Sequence, residues 1–233
     1  MRITRIIAGA ATVGLLGVSP IALGSPAQAT ANLTTTTTAT PSVTALVYGD
    51  DFSVTSAVTD SLGASNYDGT STLYALEAGS SAWVPVATAD ASYSFYDVKP
   101  TMNTTYKVVF GGYAATTAYE DNLAASESAA FTVAVARNVT IGKAKANLTI
   151  KGKVKPDYKR QKVKIQIKKG KKYVKYKTIK TSKKSTFQVR LPAPRRGNKL
   201  FFKITVPGNS QYLAYSEVWY TMTYRSVTPR LAG

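Results

Sequence analysis

Apolar and polar residues alternate along most of this chain with a period of two. In the second half Leu148, Ile150, Gly152 and Val154 interleave with Thr149, Lys151, Lys153 and Lys155. Val163, Ile165 and Ile167 alternate with Lys162, Lys164, Gln166 and Lys168, and Phe187, Val189 and Leu191 with Gln188 and Arg190. Further runs follow at Phe202, Ile204 and Val206, and across 219–224. Successive strand side chains point to opposite faces, so each run predicts a strand with one buried and one wet face. Turn signals separate the runs at Lys169-Gly170, at 192–197 and at Pro207-Gly208-Asn209. No stretch carries a convincing amphipathic-helix spacing.

The first half repeats this layout. Phe52, Val54, Ser56 and Val58 match the spacing of Leu148, Ile150, Gly152 and Val154. Gly79 before Trp83 parallels Gly170 before Tyr173, Phe95 before Pro100 parallels Phe187 before Pro192, and Ser128 and Phe131 fall where Ser216 and Trp219 do. The offset between matched positions stays near 90 residues. An internal repeat of this length, built from short strands, predicts two tandem immunoglobulin-like antiparallel β-sandwiches: an all-β fold. The expected division is 42–136 and 137–228, with the boundary near 136–142 and a tail at 229–233. No Gly/Ser-rich spacer separates the halves, so their relative motion is expected to be restricted.

These residues carry a resemblance. Gly152-Lys153-Val154, Gly170 with Tyr173, Phe187 through Pro192, and Tyr215-Ser216 resemble a repeat of secreted, cell-envelope-associated actinobacterial proteins. The first half resembles it through Gly79, Trp83, Phe95, Pro100 and Ser128. The second half departs from the pattern by having Tyr173 where the family usually has Trp. The resemblance spans nearly all of 30–233 and implies an immunoglobulin-like sandwich in an exported protein. Its motifs are packing and turn residues, so it implies no active site.

The N-terminus reads as an export signal. Arg2 and Arg5 precede an apolar run from Ile6 to Leu23, and Ala27-Gln28-Ala29 fits a small-x-small cleavage site. Residues 1–29 are therefore expected to be removed, leaving no membrane span in the mature form. Residues 30–41 are Thr-rich with no evident apolar face, and the expectation is an extended, exposed leader.

Charge changes the picture more than chemistry does. Residues 30–136 hold 2 basic and 10 acidic residues, a net of −8; residues 137–233 hold 26 basic and 2 acidic, a net of +24. With Arg2 and Arg5 these account for the formal charge of +18. Catalytic options are few. The chain has no His and no Cys, which removes the commonest general base, zinc ligation, thiol nucleophiles and disulfides. The carboxylates of the first half sit beside turn signals, with no flanking aromatics to line a sugar cleft. A carboxylate-based hydrolase is thus a remote reading, and the chain is expected to be no enzyme and to need no cofactor. Asp50, Asp51, Glu120 and Asp121 are weak candidates for a Ca²⁺ site. Tyr173, Tyr176, Tyr212, Tyr215, Tyr220 and Tyr224 are expected to be mostly half-buried, with a stacking platform as the lesser reading.

The basic residues are the stronger signal. Lys151, Lys153 and Lys155 fall on one strand's polar face, and Lys162, Lys164 and Lys168 on another's. Lys175, Lys177 and Lys180 extend the pattern, Lys171, Lys172, Lys183 and Lys184 mark turns, and Arg195, Arg196 and Lys199 add a loop. A few lysines protect strand edges. A net of +24 in under 100 residues exceeds that need, because self-repulsion opposes the compact state. Lys outnumbers Arg 19 to 7 here, which favours diffuse attraction over sequence reading of nucleic acid. The expected partner is an anionic cell-wall polymer or surface, with the protein secreted and wall-associated. The alternative is salt-dependent self-association of acidic with basic domains.

Overall fold

The computed structural model describes residues 30–142, 148–194 and 198–222. The expected signal 1–29, Arg195, Arg196, Tyr224 and the tail 229–233 lie outside them. Every regular element among the described residues is a strand. The first twelve are β1 (Asn32–Leu33), β2 (Thr35–Pro41), β3 (Ala45–Val47), β4 (Phe52–Asp60), β5 (Ser65–Asn66), β6 (Thr70–Glu77), β7 (Val84–Asp90), β8 (Ser94–Val98), β9 (Thr104–Phe110), β10 (Asn122–Leu123), β11 (Ser126–Glu127) and β12 (Phe131–Ala136). Seven follow: β13 (Asn138–Ile141), β14 (Thr149–Lys155), β15 (Lys162–Lys169), β16 (Lys172–Lys180), β17 (Thr186–Arg190), β18 (Lys199–Val206) and β19 (Tyr215–Met222).

The strands build the same object twice. In the first half β2 and β8 flank β4, facing a sheet of order β3-β12-β9-β6-β7. In the second, β13-β14-β17 faces β16-β15-β18-β19. A three-strand sheet over a four-strand sheet, filled by alternate residues, is the immunoglobulin-like sandwich. The first core takes Phe52 and Val54 from β4, Leu73 from β6, Phe95 from β8, Tyr106 and Val108 from β9 and Val133 from β12. The second takes Ile150 and Val154 from β14, Val163 and Ile165 from β15, Phe187 from β17 and Phe202 and Ile204 from β18. Each such side chain contributes roughly 1.5–3 kcal/mol by leaving water.

The repeat extends to detail. Gly79 and Gly170 turn the β6–β7 and β15–β16 hairpins at φ of +95° and +58°, the region that favours glycine. The aromatic residue that follows each turn sits under a lysine. Lys107 Nζ lies 4.8 Å from the Trp83 ring centre, and Lys203 Nζ lies 4.7 Å from that of Tyr173. Tyr173 thus makes the contact in the second sandwich that Trp83 makes in the first.

The Thr-rich run is not an exposed leader. Residues 35–41 pair along their whole length with β4, and β1 pairs with β10. Thr37 is 4% exposed. The hydroxyls of Thr35 and Thr37 both bond the Ser126 hydroxyl, at 2.6 and 2.7 Å. Threonine supplies the branched Cβ that suits a strand, and the partner for its hydroxyl lies about 90 residues away, where local composition cannot show it.

Arg137 alone separates β12 from β13. The 209–213 turn of the second half meets the first half directly. Leu213 N–H donates to Val135 O at 2.8 Å, and Asn103 N–H donates to Gln211 O at 2.8 Å. The Asn103 side chain also accepts from Val135 N–H of its own half at 2.8 Å and donates across to Ser210 O at 3.1 Å. Asn103→Ala removes both side-chain bonds and is expected to cost about 1–3 kcal/mol. Its diagnostic consequence is local: hydrogen exchange at the Asn103 and Leu213 amides, whose backbone bonds still cross between the halves, should quicken in the variant.

Candidate polyanion-binding faces

Alternation places the lysines on exposed positions, and strand pairing decides which share a face. Lys151, Lys153 and Lys155 are exposed on β14, opposite Gln188, Thr186 and Asn138. Lys162, Lys164 and Lys168 are exposed on β15, opposite Lys180, Thr178 and Tyr173. β14 and β15 belong to different sheets of one sandwich. The basic surface is therefore two faces, back to back across the core.

The face over β16-β15-β18-β19 is the richer one. Its outward positions are Lys162, Lys164 and Lys168 on β15, Lys175 and Lys180 on β16, and Lys199 and Lys203 on β18. Lys177 does not join them. A bulge at Ile165/Gln166 shifts the register, so Lys175 pairs with Gln166 while Lys177 pairs with the buried Ile165. The sequence pattern had put Lys175, Lys177 and Lys180 together; the bulge turns Lys177 to the opposite side of this edge strand. Lys171 and Lys172 are exposed at the β15–β16 hairpin, and Lys183 and Lys184 between β16 and β17.

Aromatic rings lie among these cations. Phe201 and Tyr220 pair across β18 and β19, with ring centres 6.0 Å apart. Lys168 Nζ stands 5.4 Å from the Phe201 centre and Lys199 Nζ 4.6 Å from that of Tyr220. With Tyr173 under Lys203, three rings and three lysines interleave on one sheet. Such a lane offers charge to an anion and ring faces to a sugar or base. Phe201 and Lys203 were not singled out in the sequence, although the outward parity of β18 held the signal. Of the other tyrosines, Tyr212 is buried, Tyr215 packs against the core, and Tyr176 packs there while donating its hydroxyl to Arg190 O at 3.0 Å.

The acidic residues named as calcium candidates are not gathered. No three carboxylates among the described residues form a metal-holding group. Asp51 reaches Lys99, Asp121 accepts the Ala31 N–H at 2.8 Å, and Glu120 folds back on its own loop. The Glu120 carboxylate accepts bonds from the Thr116 N–H, the Tyr113 hydroxyl and the Thr116 hydroxyl at 2.7–2.9 Å. Those donors favour the charged form and hold its pKa down at about 2. A depressed carboxylate pKa stabilises the fold above its unfolded value and loses that contribution as pH falls toward the folded value. Carboxyl NMR should therefore show Glu120 titrating near pH 2, with Tyr113→Phe moving the midpoint upward.

No family model matches the chain, and no curated protein matches it. Among solved structures it is similar to a tetra-tandem repeat from the extending region of a large adhesion protein, at 12% identity and a TM-score of 0.29. That similarity covers 82% of this chain and 48% of the other, so this chain spans about half its length. It is also similar to a two-domain fibronectin type-III segment of chicken tenascin, at 9% identity over 76% of this chain and 95% of that one, with a TM-score of 0.39. A third similarity is to the three N-terminal domains of the bacteriophage RB49 highly immunogenic outer capsid protein. It has 15% identity over 81% of this chain and 59% of that one, with a TM-score of 0.31.

Proposed function

We propose that this is a non-catalytic binding module, exported and held at an actinobacterial cell envelope by attraction of its second sandwich to an anionic polymer. The observation that carries this reading is the lysine-covered outer face of β16-β15-β18-β19, with Tyr173, Phe201 and Tyr220 set between the cations. Three ion pairs form among the described residues, and two of them belong to the first sandwich. The cations of the second sandwich are thus left almost wholly to an outside partner. The first sandwich, with a net of −8 in 30–136, acts as the part that does not adhere. The test is fractionation of the producing cells with a graded salt wash, beside binding of the purified protein to isolated anionic wall polymer. Retention on the wall at low salt and release at high salt supports the proposal. Recovery in the free medium at low salt, with no binding to the polymer, overturns it.

A further inference from the structure

The exposed lysines form diffuse faces; Arg137 is different. It is 5% exposed, and its guanidinium carbon lies 4.0 Å from the Tyr212 ring centre and 4.8 Å from that of Tyr158. Its Nε is buried without a hydrogen-bond partner, and among the described residues no carboxylate pairs with it. A buried charge of this kind is costly unless something compensates it, and two ring faces do so only in part. Arg137 lines a cleft of about 770 Å³ beside the Pro207 turn, with Lys159, Arg160, Lys162 and Lys180 on its other walls. The acid there, Asp157, is already paired to Lys159. Moreover, Lys162 and Lys180 stand directly opposite each other on β15 and β16. Like charges facing across a ladder repel. A buried guanidinium with an orphaned donor and a facing lysine pair thus converge on one cavity.

We propose that this cleft is a discrete anion subsite seating one phosphate-type group, with Arg137 at its floor and Arg160, Lys162 and Lys180 around it. The inference rests on the polyanion reading and gives it a defined place. A tetrahedral oxyanion presents acceptor oxygens in several directions, so it can meet a planar guanidinium and ammonium groups from different strands together. The stacked rings hold the guanidinium in one plane, which favours a single seated group over a sliding contact.

The test follows the Arg137 Nε–H and the amides of Gly208 and Asn209 by NMR. Inorganic phosphate, a soluble phosphodiester polymer and polyglutamate are added in turn, at constant ionic strength set with chloride. The subsite predicts saturable shifts at these positions with both phosphate probes and weaker ones with polyglutamate. Arg137→Lys should weaken phosphate binding at least about tenfold, the order of one charge-assisted hydrogen bond. The paired rim variant Lys162→Gln with Lys180→Gln, which leaves the stacked core intact, should weaken it too. Shifts spread evenly over the lysine faces, equal response to polyglutamate, or indifference to both variants overturn the subsite. Polymer retention that persists alongside any of these results sinks the subsite and leaves the wider proposal standing. Saturable phosphate binding without polymer retention does the reverse.

Discussion

Phe187→Ala is expected to remove about 3–5 kcal/mol, a large part of what a domain of this size holds in reserve. The ring is 4% exposed and lies directly over Gly152, its cross-strand partner between β17 and β14. A Cβ built on Gly152 would fall within 3.0 Å of three Phe187 ring carbons. The glycine is there for the ring, and the ring fills the gap the glycine leaves. Three outcomes follow. Thermal melting of Phe187→Ala should fall by more than about 10 °C, because a small domain loses several degrees per kcal/mol. Gly152→Val should also destabilise, by overpacking, at about 1–3 kcal/mol. In the double variant Gly152→Ala with Phe187→Ala, the added methyl should recover part of the loss, a coupling that additive effects would not give. Strict additivity would mean that the ring does not depend on the glycine.

Binding to a polyanion should collapse with salt, and the lysines responsible should be those of one face. Duplex DNA is a calibrated probe for this: each phosphate contact adds about 0.9 to the slope of log affinity against log salt. Six engaged lysines correspond to a loss of about 10³ in affinity between roughly 50 and 200 mM salt. Replacing Lys164, Lys168, Lys175 and Lys203 by Gln should lower the slope by about 3–4 if the β16-β15-β18-β19 face is the one engaged. Replacing Lys151, Lys153 and Lys155 on the opposite sheet should then change it little. Phe201→Ala with Tyr220→Ala should weaken binding to single strands by about 1–3 kcal/mol per stacked base while leaving the slope alone. If both lysine sets reduce the slope alike, the interaction does not belong to one face. If neither does, the lysines are not the contact.

Much of the fold was legible because period-two alternation reports directly on burial. Val54 and Val58 in the first half, and Ile165 and Ile204 in the second, are fully buried where parity put them. The Thr-rich β2 escaped notice because its hydroxyls are satisfied by Ser126, far along the chain. The grouping of lysines was legible only strand by strand. Which strands share a sheet is a matter of tertiary pairing, and the bulge at Ile165/Gln166 carries no glycine or proline to betray it. Arg137 read as one more basic residue at a boundary. Its burial depends on Tyr158 and Tyr212, which converge from two separate loops of the second half.

A single residue joins a half of net −8 to a half of net +24, and Asn103 and Leu213 stitch the two together. Two bodies of opposite sign fastened in this way form a fixed electric dipole. A flexible linker would let each half seek its own surroundings, but here the field of a negative surface acts on both as one object. Near a negative surface such a dipole would feel a torque that turns the lysine-rich half inward and the acidic half outward. The first sandwich, with Tyr67, Tyr96 and Tyr119 exposed, would then be turned away from that surface.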